Sequence, residues 1–132
     1  MTNLETVQSL YAAFGRGDVP AILSRLAQDV RWEYSSVTSD APWLTPRTGR
    51  DGAAEFFEAL SAIEITRFEP RDFLAGDRVV VVLLDIEFTV RKTGKRVVEP
   101  DEIHVWRFNE RGEVSHFRHG ADTHAHHLAW HG

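Results

Sequence analysis

Apolar positions in the first half of the chain recur at helical spacing and predict three helices. The apolar face of the first is formed by Leu4, Val7, Leu10, Tyr11 and Phe14. Thr2 and Glu5, three positions apart, fit a capping box at its start. The second helix is predicted to begin at Asp18, with Pro20 in its first turn. The third is predicted over residues 49–62, with two phenylalanines and a leucine facing inward.

The second half of the chain follows a period of two, which is typical of strands. Together with one short strand before the third helix, the predicted strands are 30–34, 65–74, 78–91, 97–108 and 114–121. Helices followed by an antiparallel meander predict an α+β fold, and 132 residues predict a single domain over 1–132. Residues 123–132 are either a short helix or a frayed tail, and a frayed tail is the simpler interpretation.

The strand at 97–108 carries an unusual combination of side chains on one face. Alternation sends Glu102, His104 and Trp106 to the same side, together with Phe108. A carboxylate, an imidazole and an indole that share one face either line a polar pocket or face water. His119 lies on the last strand with Phe117 on its own face, so it can pair with His104 across neighbouring strands.

Composition narrows the classes of function. The net charge of −5 disfavours binding to nucleic acid or to an anionic membrane. The chain has no cysteine, which excludes disulfides, thiol catalysis and cysteine metal sites. No apolar run reaches the roughly 18 residues of a spanning helix, and the N-terminus does not resemble a signal peptide. We therefore expect a cytoplasmic protein.

The run from Val79 to Leu84 is apolar on both faces of its predicted strand. One face can pack against the helices, but the other needs a second cover. A second copy of the chain is the simplest cover, so we predict a homodimer through the outer face of the sheet.

The order of elements and several short motifs resemble the nuclear transport factor two-like superfamily, in its SnoaL-like and ketosteroid-isomerase-like branch. The motifs are Tyr11-Ala-Ala-Phe-Gly-Arg-Gly-Asp18 with Ala21-Ile22, Leu26-Ala-Gln-Asp-Val-Arg-Trp32, Gly49-Arg-Asp-Gly52 and Trp106-Arg-Phe-Asn-Glu-Arg-Gly-Glu-Val114. The resemblance covers almost the whole chain. It implies a cone-shaped, strongly curved, mixed or antiparallel sheet wrapped around the three helices of the N-terminal half, with a cavity between them. It also implies that dimers through the outer sheet face are common.

The resemblance carries catalytic positions over only in part. The isomerases use an aspartate base just after the first strand, and the matching position is Tyr34. Their tyrosine donor on the first helix falls at Leu10, with Tyr11 adjacent. Their protonated aspartate on the penultimate strand matches His104, and the acid–base aspartate of the cyclases matches His119. The isomerase trio is therefore absent as such.

Three residues are the candidate catalytic set. His104 is able to donate a hydrogen bond to an oxyanion or to carry a proton near neutral pH, and His119 is its candidate acid–base partner. Tyr34 ends the first strand beside Glu33 and would place a phenol at the cavity mouth. For each of them the alternative is a structural role in the core or at the surface.

Five aromatic residues are the candidate ligand contacts: Trp43, Trp106, Phe14, Phe117 and Phe57. Trp43 is the most distinctive, because it sits in a polar loop that would be able to cover a cavity. The others are equally explained as core residues. Four histidines lie in the tail, and the string His-Ala-His-His at 124–127 has no firm metal-site spacing, so we expect no metal and no cofactor.

Three functions remain open at this level. The first is a cofactor-independent enzyme that isomerises, cyclises or dehydrates a small apolar carbonyl or hydroxyl compound by proton transfer. The second is a non-catalytic carrier or sensor that uses the same cavity. The third is a dimeric interaction module with a filled core. Convergent polar groups on the floor of a cavity would favour the first two over the third.

Overall fold

The computed structural model describes residues 1–34 and 40–132. Its helices are α1 (Asn3–Gly15), α2 (Val19–Leu23), α3 (Gly49–Ala59) and α4 (Thr123–His131). Its strands are β1 (Leu26–Trp32), β2 (Arg47–Thr48), β3 (Ile63–Gly76), β4 (Val79–Val90), β5 (Arg96–Phe108) and β6 (Val114–Gly120). The α+β prediction is confirmed, with three helices in the first half of the chain and most of the sheet in the second.

The predicted start signals of the first two helices are present. At α1 the Thr2 side chain accepts a hydrogen bond from the Glu5 N–H, and the Glu5 carboxylate accepts one from the Thr2 N–H. The Asp18 side chain caps α2 by accepting from the Ala21 N–H at 3.2 Å. These bonds satisfy backbone donors that a helix leaves free in its first turn.

The six strands form one open sheet in the order β2-β1-β6-β5-β4-β3. The pairing of β1 with β6 is parallel, and the other pairings are antiparallel. The last strand thus lies between the first strand and the long meander. The sheet curves around α1–α3 in the expected cone, and its concave face carries the core.

Strict alternation along β4 separates the two faces of the sheet. Its even-numbered residues from Val80 to Val90 are buried, whereas the odd-numbered residues are half-exposed on the outer face. In β5 an irregularity opposite Leu84–Ile86, with Asp101 at φ 58°, shifts the alternation. As a result Glu99 and Glu102 both point inward although they are three positions apart.

The outer face divides into a charged part and an apolar part. Asp85 and Glu87 form ion pairs there with Arg67, Arg71 and Arg96, at 2.9–3.5 Å. The apolar part, here called the outer strip, consists of Leu74, Val81, Leu83, Ile103 and Val105, which lie side by side on β3, β4 and β5.

Residues 123–132 do not fray, since they form the helix α4 up to His131. The Asp122 side chain caps it by accepting from the Ala125 N–H at 3.0 Å. His126 lies buried beneath it, where Nδ1 accepts a hydrogen bond from Trp43 Nε1–H at 2.9 Å and Nε2 meets Glu99 at 2.7 Å. An indole N–H only donates, so the ring proton of His126 is on Nε2 and points to the carboxylate.

No helix in the described ranges is long and apolar enough to cross a lipid bilayer.

Candidate active site

A cavity of about 70 Å³ lies between α1, α2 and α3 and the concave face of the sheet. One buried water needs roughly 10–15 Å³ measured in this way, so the space accommodates more than a single solvent molecule. Its walls are mainly aromatic and aliphatic, and its polar lining side chains are Tyr11, Glu102, His104 and His119. The polar groups are therefore concentrated in one part of an otherwise apolar cavity.

His104 and His119 face each other in this cavity. They are directly opposite in the antiparallel β5–β6 pair, and their ring centroids lie 4.7 Å apart at an interplanar angle of 89°. Phe117 packs edge-on against both rings, at 5.1 and 4.9 Å. Strand alternation and cross-strand register thus bring the two imidazoles together.

Tyr11 connects the first helix to His104. Its hydroxyl lies 2.5 Å from His104 Nδ1 and accepts a hydrogen bond from Trp106 Nε1–H at 3.0 Å. On the other side of the ring, His104 Nε2 lies 3.7 Å from the Glu102 carboxylate. The carboxylate favours a proton on Nε2, so the Tyr11 hydroxyl donates to Nδ1 and His104 is a neutral imidazole with its N–H toward Glu102.

The Glu33 carboxylate binds His119 through its ring and its backbone. One oxygen of its fully buried carboxylate meets His119 Nδ1 and also accepts the His119 backbone N–H at 2.8 Å. No hydrogen bond joins His119 Nε2 to the described part of the chain, and the side chain keeps 10% of its surface exposed. The arrangement orients the ring and leaves its second nitrogen for the cavity.

A comparison with models of protein families identifies the family of the chain. The model of the SnoaL-like domain matches residues 7–117, which is most of the chain. The chain belongs to the SnoaL-like domain family. None of the curated proteins matches this SnoaL-like chain at a significant level.

Solved structures agree with this assignment. An NTF2-like protein of unknown function from Burkholderia pseudomallei is 28% identical over 100% of both chains, with a TM-score of 0.83. An NTF2-like protein from Burkholderia xenovorans is 26% identical over 96% of this chain and 94% of its own, with a TM-score of 0.81. TerC, co-crystallized with polyporic acid, is 26% identical over 98% of both chains, with a TM-score of 0.78.

Four buried side-chain atoms have no hydrogen-bond partner within the described residues of this SnoaL-like domain. They are Trp32 Nε1, Glu33 Oε2, Glu102 Oε2 and His104 Nε2. Three of these side chains line the cavity, and the fourth belongs to the carboxylate that holds His119. Because buried polar groups are nearly always paired with protein or with ordered water, these atoms mark where the cavity is able to bind a solvent molecule or a polar group of a ligand.

The electrostatics set the two histidines apart. Burial lowers the pKa of His104, and this outweighs the opposing effect of Glu102. Burial acts in the same direction on His119, but the neighbouring Glu33 carboxylate prevails and raises the pKa of that ring. Burial raises the pKa of the Tyr11 hydroxyl, so it remains a phenol and a donor at neutral pH. His119 therefore holds a proton more tightly than an ordinary imidazole, and His104 holds one less tightly.

We expect the substitution Glu33→Gln to move the titration of His119 to lower pH. The glutamine keeps the size of the side chain but removes the charge that stabilises the imidazolium. Two-dimensional NMR of the ring nitrogens measures the change, with Glu113→Gln in the β5–β6 turn as a control remote from the cavity. An unchanged His119 titration would show that Glu33 does not set its pKa.

Ring titration is a better readout here than overall stability. With its raised pKa, His119 contributes stability that is complete below the unfolded value of about 6.5 and is lost as pH rises through the folded value. His104, whose pKa is lowered, contributes in the opposite sense, because acidification below about 6.5 favours the unfolded chain. The two contributions oppose each other in any global unfolding curve.

Two sequence candidates do not lie in the cavity. Tyr34 is on the outer face, where its hydroxyl accepts a hydrogen bond from Arg107 at 3.4 Å and its ring packs against His116. The cause is the left-handed backbone of Glu33, with φ 54°, which interrupts the alternation of β1 and turns Glu33 inward in place of Tyr34. Trp43 is buried, but it packs against His126, Phe88 and Trp130 behind the cavity and does not line it.

The other candidates do line the cavity: His104, His119, Phe14, Phe57, Trp106 and Phe117. Sequence reasoning missed Tyr11 and Glu33 as members of the polar set. The signal for Tyr11 was its place beside Leu10, the position that matches the isomerase tyrosine. For Glu33 there was no signal, since its inward direction depends on one unusual φ angle.

Three clusters in the described part of the chain each bring three possible metal ligands within 4.8 Å of one another. Glu102, His104 and His119 form the cluster in the cavity, where two imidazoles and a carboxylate are a donor set suited to Zn²⁺ or Fe²⁺. In a second cluster, Glu99 and His126 already satisfy each other. The third cluster, at the surface, consists of Asp40, His127 and His131.

Proposed function

We propose that this protein is a cofactor-independent enzyme that moves a proton on a small, largely apolar molecule with a carbonyl or hydroxyl group. The reaction class is isomerisation, cyclisation or dehydration. The observation that carries the proposal is the convergence of two polar pairs, Glu33–His119 and Tyr11–His104, on one apolar cavity. A cavity of this kind, apolar with a few convergent polar groups, is the usual form of a small-molecule site.

His119 acts as the general base and acid. Its Nε2 takes a proton from the carbon or hydroxyl of the substrate, and Glu33 stabilises the imidazolium that forms. The same nitrogen then returns the proton to a second atom of the substrate, or to a leaving hydroxyl in a dehydration. The carboxylate–imidazole pair resembles the orienting pair of a catalytic triad, in which the carboxylate itself stays ionised.

His104 stabilises the negative charge that develops on the substrate oxygen. As a neutral imidazole it donates from Nε2, while the Tyr11 hydroxyl fixes the ring by its bond to Nδ1. Glu102, 3.7 Å away, keeps the proton on Nε2. Preorganised donors of this kind are worth about 10²–10³ in rate.

Two further points support the proposal. TerC, a relative of similar length, was co-crystallized with polyporic acid, an organic acid, which supports a small organic ligand for this chain. The presence of a cavity also disfavours the third function considered in the sequence analysis, an interaction module with a filled core. For the compartment we propose the cytoplasm, since the chain contains no cysteine with which to form an extracellular disulfide.

Exchange of substrate protons with solvent tests the proposal before the natural substrate is known. Apolar cyclic ketones that bind the protein are incubated with it in D₂O, and NMR follows the loss of their α-protons. The proposal predicts exchange faster than in buffer, with saturation as the ketone fills the cavity. Binding without exchange across the panel would favour the carrier or sensor, and absence of binding would contradict a cavity function altogether.

We also propose that a second copy of the chain covers the outer strip. In this strip Leu74, on the edge strand β3, is 57% exposed, and Ile103, on β5, is 37% exposed. Apolar side chains clustered on a sheet face are typical of an interface, and a two-fold axis through the face lets the same strip serve both copies.

We expect light scattering to give a mass twice the 15.0 kDa of one chain. The substitution Leu83→Arg puts a charge in the strip of each copy and should shift the mass toward that of the monomer. Leu128→Arg is the matched control, because Leu128 is 53% exposed on α4, away from the sheet face. A monomeric wild-type protein, or a dimer unaffected by Leu83→Arg, would refute this interface.

A further inference from the structure

The exposed side of α4 presents two histidines to one carboxylate. His127 Nδ1 lies 3.0 Å from one oxygen of Asp40, and His131 Nε2 lies 2.5 Å from the other. The two imidazole rings are 4.5 Å apart. The carboxylate thus bridges both rings, and the three residues form a compact group, here called the α4 cluster.

The α4 cluster has the donors and the spacing of a metal site. His127 and His131 are four residues apart on one helix, the spacing that places two imidazoles on one face in helical zinc sites. Asp40 adds a carboxylate from a distant part of the chain, and one donor atom from each residue lies within 4.8 Å of the others. Zn²⁺ bound at about 2.0–2.2 Å by N and O donors accepts this set, with solvent in the fourth position.

The surroundings favour a cation. His131 lies in the last turn of α4, where the helix macrodipole is negative. The side chains are about half exposed, at 46% for His127, 54% for Asp40 and 49% for His131. An ion therefore reaches them directly from solvent, and the small rotations needed to draw three donors around it meet little steric resistance.

From this geometry we propose that Asp40, His127 and His131 bind a divalent transition-metal ion of the Zn²⁺ class, which fastens α4 to the chain at Asp40. The ion takes the place of the two hydrogen bonds between the rings and the carboxylate: each neutral ring keeps its proton on its other nitrogen and coordinates through the nitrogen that faces Asp40. The site is separate from the proposed acid–base set. A bound ion would hold the exposed side of α4 in place. The buried side of this helix is already held by the hydrogen bonds of His126 with Trp43 and Glu99.

The test is a Zn²⁺ titration of the full chain, prepared without a polyhistidine tag and treated with a chelator. Calorimetry should give one ion per chain, and the midpoint of thermal unfolding should rise with Zn²⁺ because the ion binds only the folded form. In His127→Ala and His131→Ala the affinity should fall by at least the roughly 10–100-fold that loss of an outer-shell partner already costs. In these variants Zn²⁺ should no longer raise the midpoint of thermal unfolding.

His124→Ala is the matched control, since His124 is an exposed histidine of the same helix outside the α4 cluster. It should bind as the wild type does. The proposal is overturned if the wild type binds no Zn²⁺, or if His127→Ala and His131→Ala bind it normally. It is also overturned if His104→Gln abolishes binding, because the ion would then occupy the cavity cluster.

Discussion

The substitution His119→Gln is expected to slow exchange of substrate α-protons by about 10²–10⁴-fold, the usual contribution of a positioned general base. A glutamine amide donates to Glu33 in place of Nδ1–H and so keeps the buried carboxylate paired. It has no group that accepts and returns a proton near neutral pH. The loss should therefore appear in kcat, while binding of the ketone changes little.

His116→Gln is the matched control for this experiment. His116 lies on the same strand but on the outer face, where it packs against Tyr34. It should exchange substrate protons at the wild-type rate. Because the variant at position 119 alters a buried pair, circular dichroism must show that it folds, and the double change Glu33→Gln with His119→Gln provides a form without the buried charge. Wild-type exchange in a folded variant would remove His119 from the mechanism.

The substitution His126→Ala should lower the free energy of unfolding by roughly 2–6 kcal/mol, since it leaves two buried groups poorly paired at about 1–3 kcal/mol each. One is Trp43 Nε1–H, which loses its acceptor. The other is the Glu99 carboxylate, whose one remaining hydrogen-bond donor among the described residues is the Asp122 N–H at 2.8 Å. Urea unfolding monitored by tryptophan fluorescence measures the change.

His124→Ala again supplies the comparison, because it removes an exposed histidine from the same helix. Its effect should stay within about 0.5 kcal/mol, as for most surface substitutions. Equal stability of the two variants would mean that α4 is not held by its buried histidine. A loss confined to the position 126 variant would establish that the tail is part of the folded core.

The parts of the site that the sequence predicted are those that follow from unbroken alternation. Glu102, His104 and Trp106 share a face because nothing interrupts β5 between them. The pairing of His104 with His119 also depends on the register shift between Arg107 and Phe108, which lies between the turn and the two histidines and brings His119 opposite His104. Alternation within each strand therefore predicted the faces, and the shift set which residues stand opposite each other.

The parts that the sequence missed depend on single backbone angles and on packing between distant elements. Alternation along β1 predicts that Tyr34 points inward and Glu33 outward. The positive φ of Glu33 exchanges these two directions. Asp101 has the same effect in β5 and brings Glu99 inward, where His126 meets it. A positive φ at a residue other than glycine is uncommon, and composition alone does not reveal it. Trp43 was expected over the cavity because it lies in a polar loop. Its contact with α4 joins residues far apart in the sequence, and a local pattern does not predict such a contact.

The placement of β6 between β1 and β5 has a consequence for how the protein folds. β1 is near the N-terminus, but one of its two neighbours in the sheet is β6, the last strand of the chain. This pairing therefore joins segments that are far apart in the sequence. Non-local parallel pairing is slow to form, and the meander of β3, β4 and β5 is able to associate first. His119 arrives with that last strand. The proton-transfer pair therefore comes together only when β6 joins the sheet, and a chain in which β6 is not yet paired would have neither the pair nor a complete cavity.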